Sequence, residues 1–154
     1  MDQSLTASLA VLTGQRLAGI GRAATMGIFE FGSDVAPQPG GSSATPRAEV
    51  ALHVQCAFRI TRNGRVVLGS NDQSWIYGVN QGSMYDVRAG AIDSSLANVP
   101  YLIVDEVCVM RIGDISIRLS DGVEIQVFVD SSRPTENWRF IHRPGRHTVF
   151  PADD

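Results

Sequence analysis

The sequence contains no lysine: all 13 of its basic residues are arginines. That absence excludes a Schiff-base lysine and the phosphate-cradling lysine of a nucleotide-binding loop. The bias is of the kind that a GC-rich bacterial genome produces. The arginines are outnumbered by 16 acids, giving a net charge of -3 with no basic run, so no nucleic acid is expected as a partner. Cysteine is scarce too, with only Cys56 and Cys108. Two thiols without a C-x-x-C spacing offer no zinc frame; in a cytosolic chain they read as reduced core residues first and as a disulfide second.

Long hydrophobic runs are also missing. No stretch approaches the roughly 18 apolar residues that a membrane-spanning helix needs. The segment from Met1 to Gly14 carries Asp2, has no basic start, and is interrupted by Thr6, Ser8 and Thr13. It does not read as a signal peptide, and a cytoplasmic protein without a membrane partner is expected. Catalytic signatures are absent as well: there is no G-x-S-x-G, no H-E-x-x-H, no Walker A loop and no glycine-rich dinucleotide turn leading into a helix. No cofactor is expected, and catalysis is the lesser reading.

What is present is ordinary globular material, 44% hydrophobic and 19% charged over 154 residues. That suits a single β-rich domain spanning 1–154, with a flexible Gly/Pro/Ser loop at 32–47. Leu5, Leu9 and Leu12 fall at helical spacing between a Ser4 N-cap and a Gly14 stop. Gln15 to Ala23 and Met26 to Phe31 follow as strands. Val50, Leu52, Val54, Cys56, Phe58 and Ile60 alternate with Ala51, His53, Gln55, Ala57 and Arg59, the pattern of one half-buried strand. Asn63-Gly64 turns it tightly, with Val67 expected opposite Ile60 and inside. Residues 70–98 hold Trp75, Tyr77 and Tyr85 among glycines and acids. They read as loop with short elements and a helical turn after Asp93, in which exposed aromatics would bind a partner or Trp75 would fold back over a sheet edge.

From Leu102 to Phe150 five strands follow in a meander. A two-residue turn at Gly113-Asp114 pairs Ile112 with Ile115, Met110 with Ile117 and Cys108 with Leu119, setting Leu102, Val104, Cys108, Met110 and Ile112 inward. The next hairpin reads as a three-residue loop at Ser120-Asp121-Gly122, because only that choice pairs Leu119 with Val123, Ile117 with Ile125 and Ile115 with Val127. It also sets Arg118 opposite Glu124, an ion pair worth roughly 0.2–1 kcal/mol. In the last hairpin Trp138, Phe140 and His142 share a face, and His142 falls opposite His147.

Three sets of side chains carry candidate chemistry. His142 and His147, with His53 as a third ligand, form a candidate metal site for a metal-dependent hydrolase or small-ligand protein. Trp75, Tyr77, Tyr85, Asp130, Arg133, Glu136 and Arg139 are candidate partner-binding residues, since Trp and Arg anchor interfaces; Trp138 beside them reads equally as core. No residue is nominated as catalytic; Glu136 with Asp130, and Asp72 with His53, are acid–base pairs without a motif behind them. A structural or oligomerisation module exposing a sheet edge is a third reading.

The stretches Ala51-Leu52-His53-Val54-Gln55-Cys56-Ala57-Phe58-Arg59-Ile60, Glu124-Ile125-Gln126-Val127-Phe128-Val129-Asp130-Ser131-Ser132 and Glu136-Asn137-Trp138-Arg139-Phe140 resemble small uncharacterised bacterial β-rich single-domain proteins, some associated with polymorphic-toxin immunity loci. The resemblance covers the middle and C-terminal thirds and implies no catalytic residue. It implies a non-catalytic protein-binding domain, an immunity-type inhibitor of a bacterial toxin. The expected fold is mainly β, or α+β counting the short N-terminal helix: an antiparallel meander in a curled sheet, sandwich or open barrel.

Overall fold

The computed structural model describes residues 1–35, 47–76, 78, 82–96, 102–143 and 145–151, the side chains of 95 and 96 excepted. Two antiparallel five-stranded sheets face each other. The first sheet contains β1 (Leu17–Ala23), β2 (Met26–Val35), β3 (Arg47–Val54), β9 (Trp138–His142) and β10 (Arg146–Phe150), in the order β1-β2-β3-β9-β10. The second contains β4 (Ala57–Arg62), β5 (Arg65–Gly69), β6 (Val104–Val109), β7 (Ile115–Leu119) and β8 (Val123–Phe128), in the order β5-β4-β8-β7-β6. The expected mainly β fold is therefore present, as a sandwich that does not close into a barrel.

The long alternating run from Val50 to Ile60 is two strands. It bends at Gln55-Cys56, so that β3 lies in one sheet and β4 in the other. Alternation passes through the bend unbroken because both sheets point their inner residues at one core, and inward stays inward around the corner. The buried Asn137 closes this corner: its carbonyl accepts from the N–H groups of both Gln55 (2.8 Å) and Cys56 (3.2 Å), and its own N–H donates to Phe150.

The C-terminal meander is likewise divided, with β6–β8 in the second sheet and β9–β10 in the first. Its middle hairpin has the expected register, Ile117 opposite Ile125 and Ile115 opposite Val127, and Gly122 adopts the expected positive φ. Arg118 does stand opposite Glu124, but it pairs instead with Glu106, while Glu124 accepts from the Ser116 hydroxyl. The β6–β7 turn differs from expectation. Val109 pairs with Ile115 and Val107 with Ile117, leaving Met110 and Ile112 exposed and Cys108 half-buried. The loop holds three residues, Arg111 to Gly113, with the positive φ at Gly113 and its N–H bonded to the Met110 carbonyl. A bulge between Val104 and Glu106 then returns Val104 to the core. A register shift in the β4–β5 hairpin similarly puts Leu68, not Val67, opposite Ile60 and inside.

Core packing joins the sheets directly. The Phe29 and Phe58 rings meet edge-on across the interior with centroids 5.3 Å apart. Trp138, fully buried, stacks on Phe150 at 5.5 Å and donates its indole N–H to the Gly113 carbonyl at 2.8 Å. That bond ties the first sheet to the β6–β7 loop of the second. Trp138 is thus core.

Two helices finish the domain. Helix α1 (Gln3–Leu9), continued by a 3-10 turn at Ala10–Leu12, buries Leu9 and Leu12. Its N-cap is Asp2 rather than Ser4, the carboxylate accepting from the Leu5 N–H at 3.0 Å. It lies along β6, where the Thr6 hydroxyl bonds both backbone groups of Val109. Helix α2 (Met84–Leu96) occupies a region expected to be mostly loop. A capping box starts it: the Ser83 hydroxyl accepts from the Asp86 N–H and the Asp86 carboxylate accepts from the Ser83 N–H at 2.9 Å. Tyr85, Ala89 and Ile92 form the stripe that packs on the core. Of the expected 32–47 loop, Gly32–Val35 continue β2 and Arg47 opens β3; positions 36–46 lie outside the described residues.

Candidate functional site

Two surfaces carry the side chains with functional character. The first surrounds the start of α2. A 3-10 turn at Ser70–Ser74 follows β5, its Asp72 carboxylate accepting from the Gly69 N–H at 2.9 Å. Trp75 comes next, and its carbonyl accepts from the Met84 N–H at 2.7 Å, while Ile76 bridges to Ser83. The backbone at Trp75 and Ile76 is therefore pinned to the helix start. Their side chains nevertheless point to water: Trp75 is 67% exposed and Ile76 83%. Val87 of α2, whose N–H donates to the carbonyl of the Ser83 that Ile76 bridges, is exposed as well. Tyr77 lies outside the described residues.

Tyr85 does not belong to this surface. It is 1% exposed, meets the Phe58 ring edge-on and donates its hydroxyl to the Gly21 carbonyl. At helical spacing from Ala89 it is the anchor of α2, so its nomination for partner binding is corrected. Next to it the Arg22 guanidinium grips Asp86 through two bonds of 2.7 and 2.8 Å. That pairing holds the Asp86 carboxyl well below its usual pKa, and α2 is tied to β1 from a second side.

The second surface is the outer face of the first sheet. Register places His53 between Ile28 and Arg139 on that face. Glu136, just before β9, accepts from Arg139 at both carboxylate oxygens (3.2 and 2.6 Å) and from the Gln55 amide at 3.2 Å. Asp130 and Arg133, in the loop leading to it, are exposed. Of the nominated residues this surface brings together Glu136 and Arg139; nothing in the sequence pattern marked Gln55 as their partner.

The candidate metal site does not form. Arg146, not His147, stands opposite His142, and His147 stands opposite Ile141. Adjacent positions on a strand alternate between the two sides of the sheet, so the cross-strand histidine pair expected from a two- or four-residue turn is not formed. His142 instead lies 3.4 Å from the Glu49 carboxylate. No group of three His, Cys, Asp or Glu side chains suited to a metal exists among the described residues. The two thiols are free; burial pushes Cys56 up to about 12, which makes it an inert core residue.

His53 is half-buried, and burial, followed by the nearby Arg143 and Arg139 charges, lowers its pKa from the ordinary imidazole value. As pH falls below about 6.5 the unfolded chain takes up this proton before the folded one does. The contribution of His53 is therefore complete above that pH and is lost toward the depressed folded-state value. Urea midpoints measured at a series of pH values should fall on acidification, with a shallower slope in His53→Gln. Identical slopes would show that His53 does not titrate in this way.

No family model, curated protein or solved structure matches the chain. No described helix is long and apolar enough to cross a membrane.

Proposed function

We propose that the chain is a non-catalytic protein-binding domain whose docking surface is Trp75, Ile76 and Val87. The observation that carries this reading is the combination of exposure and fixity at Trp75 and Ile76. Both side chains lie in water while their backbone is bonded to the first turn of α2. Holding a large aromatic and a branched aliphatic side chain together in water gives no benefit to the isolated fold, whereas burying them against a partner does. A fixed backbone also lowers the ordering cost of association. The finer reading is an immunity-type inhibitor of a basic toxin; the net charge of -3 supports it through attraction to a basic partner.

The test is a comparison of two tagged chains, wild type and Trp75→Asp/Ile76→Asp, each expressed in the native host and purified gently. Wild type should retain a stoichiometric protein partner that the double variant loses, because central anchors of this kind carry about 2 kcal/mol or more each. Recovery of wild type alone in repeated purifications, or equal retention by both chains, would reject the proposal.

A further inference from the structure

A five-stranded sheet has two edges, and three of the four edges in this sandwich have a described element against them. Helix α1 lies along β6, Thr6 bonding the backbone of Val109, and the Gly14 N–H and Gln15 carbonyl bond Val104. Helix α2 packs against both β1 and β5, joined at β5 by the Ser70–Ser74 turn. The fourth edge, β10, ends the order of its sheet, and among the described residues no helix or strand lies along its outer side. Its pairing with β9 runs without a bulge from Arg146 to Phe150, and no proline interrupts it. Edge strands in soluble proteins are ordinarily covered, bulged or broken. Thr148, Val149 and Phe150 are also good strand formers.

From this geometry we infer that β10 pairs antiparallel with β10 of a second copy of the chain, joining two sheets into one across a two-fold axis at Thr148. The strand's own sequence favours this occupant. About that axis Arg146 faces Phe150 of the other copy and His147 faces Val149, so no charge meets a like charge. The guanidinium instead meets an aromatic ring, an attractive pairing that the chain already uses once, where Arg59 sits 4.9 Å from the centre of the Phe128 ring. A two-fold contact also closes on itself, so assembly stops at the dimer. Five paired residues make a small interface, and the dimer is correspondingly concentration-dependent. Since β10 lies at the opposite edge of its sheet from β1 and α2, roughly 19 Å away at ordinary strand spacing, pairing leaves both Trp75 surfaces free. The dimer is independent of the proposed docking function and would make it bivalent.

Sedimentation equilibrium across a concentration series tests the pairing with the full chain. The mass of wild type should rise from 16.6 kDa to twice that value and no further. His147→Glu/Val149→Glu sets carboxylates against each other across the axis, while within one chain the carboxylate introduced at position 149 has Arg139 opposite it; this variant should stay monomeric. His147→Lys/Val149→Glu restores opposite charges across the same positions and should dimerise, which separates loss of pairing from loss of folding. A wild-type mass that stays at the monomer value, growth beyond the dimer, or equal dimerisation of the doubly acidic variant would each overturn the inference.

Discussion

Trp138→Ala should lower stability by about 3–5 kcal/mol, the range for truncating a large buried aromatic, and the melting midpoint by roughly 10–15 °C for a domain of this size. Three losses combine. The indole is fully buried, so its removal leaves a cavity that a β-sheet cannot readily collapse around. Phe150 loses the ring it stacks on. The Gly113 carbonyl loses the donor that joins the β6–β7 loop to the first sheet, and an unsatisfied buried acceptor costs about 1–3 kcal/mol. Trp138→Phe keeps most of the volume and the stacking, so it should recover over half of the loss. Thermal unfolding of the two variants checks this, and a drop of under about 1 kcal/mol in Trp138→Ala would mean that the indole does not hold the sheets together.

Tyr85→Ala should cost a similar amount, about 3–5 kcal/mol, but act differently. Among the described side chains of α2, Tyr85 is the large one that lies fully in the core, and its hydroxyl reaches β1. Without it the helix keeps Ala89, Ile92 and the surface bond from Arg22 to Asp86, and exposed ion pairs contribute little. Amide exchange in Met84–Leu96 should therefore accelerate well before that of β3 and β9, because α2 becomes the part that opens first. Tyr85→Phe removes only the hydroxyl and should cost about 1–2 kcal/mol. Uniform acceleration across the whole chain in Tyr85→Ala would show that α2 is not a separable element.

Where sequence and structure agree, the physical signal was local and redundant. The Ser120-Asp121-Gly122 loop followed from three apolar pairings that only one register satisfied, and that register is present. Arg111 to Gly113 is likewise a three-residue loop ending in glycine, where the sequence pattern predicts a two-residue turn. The longer apolar series through Met110 and Ile112 favours the shorter turn, and the bulge at Val104/Glu106 breaks the alternation that distinguishes the two registers. At the last hairpin, loops of two or four residues both set His142 against His147. The chain places Arg146 there instead, with the Gly145 N–H bonded to the His142 carbonyl, and the metal site dissolved with that one-residue difference. Helix α2 was legible in Ser83-x-x-Asp86 together with Tyr85, Ala89 and Ile92 at spacings of four and three. The surrounding glycines and short polar side chains outweighed it. What sequence could not supply was the division into sheets, because alternation reports the side that faces the core and not the sheet that owns the strand. The exposure of Trp75 was equally out of reach, since folding back over an edge and pointing to solvent use the same residues.

Docking through Trp75 requires its indole to stand in water on a fixed backbone, and the chain has only two tryptophans, one exposed and one fully buried. Trp138→Phe therefore leaves Trp75 as the sole indole emitter. The emission of that variant, measured with increasing acrylamide and with iodide, should be red-shifted and quenched nearly as strongly as a free indole, and it should stay so on dilution of the protein. A blue-shifted emission that resists both quenchers would place Trp75 under cover of its own chain and contradict the docking surface.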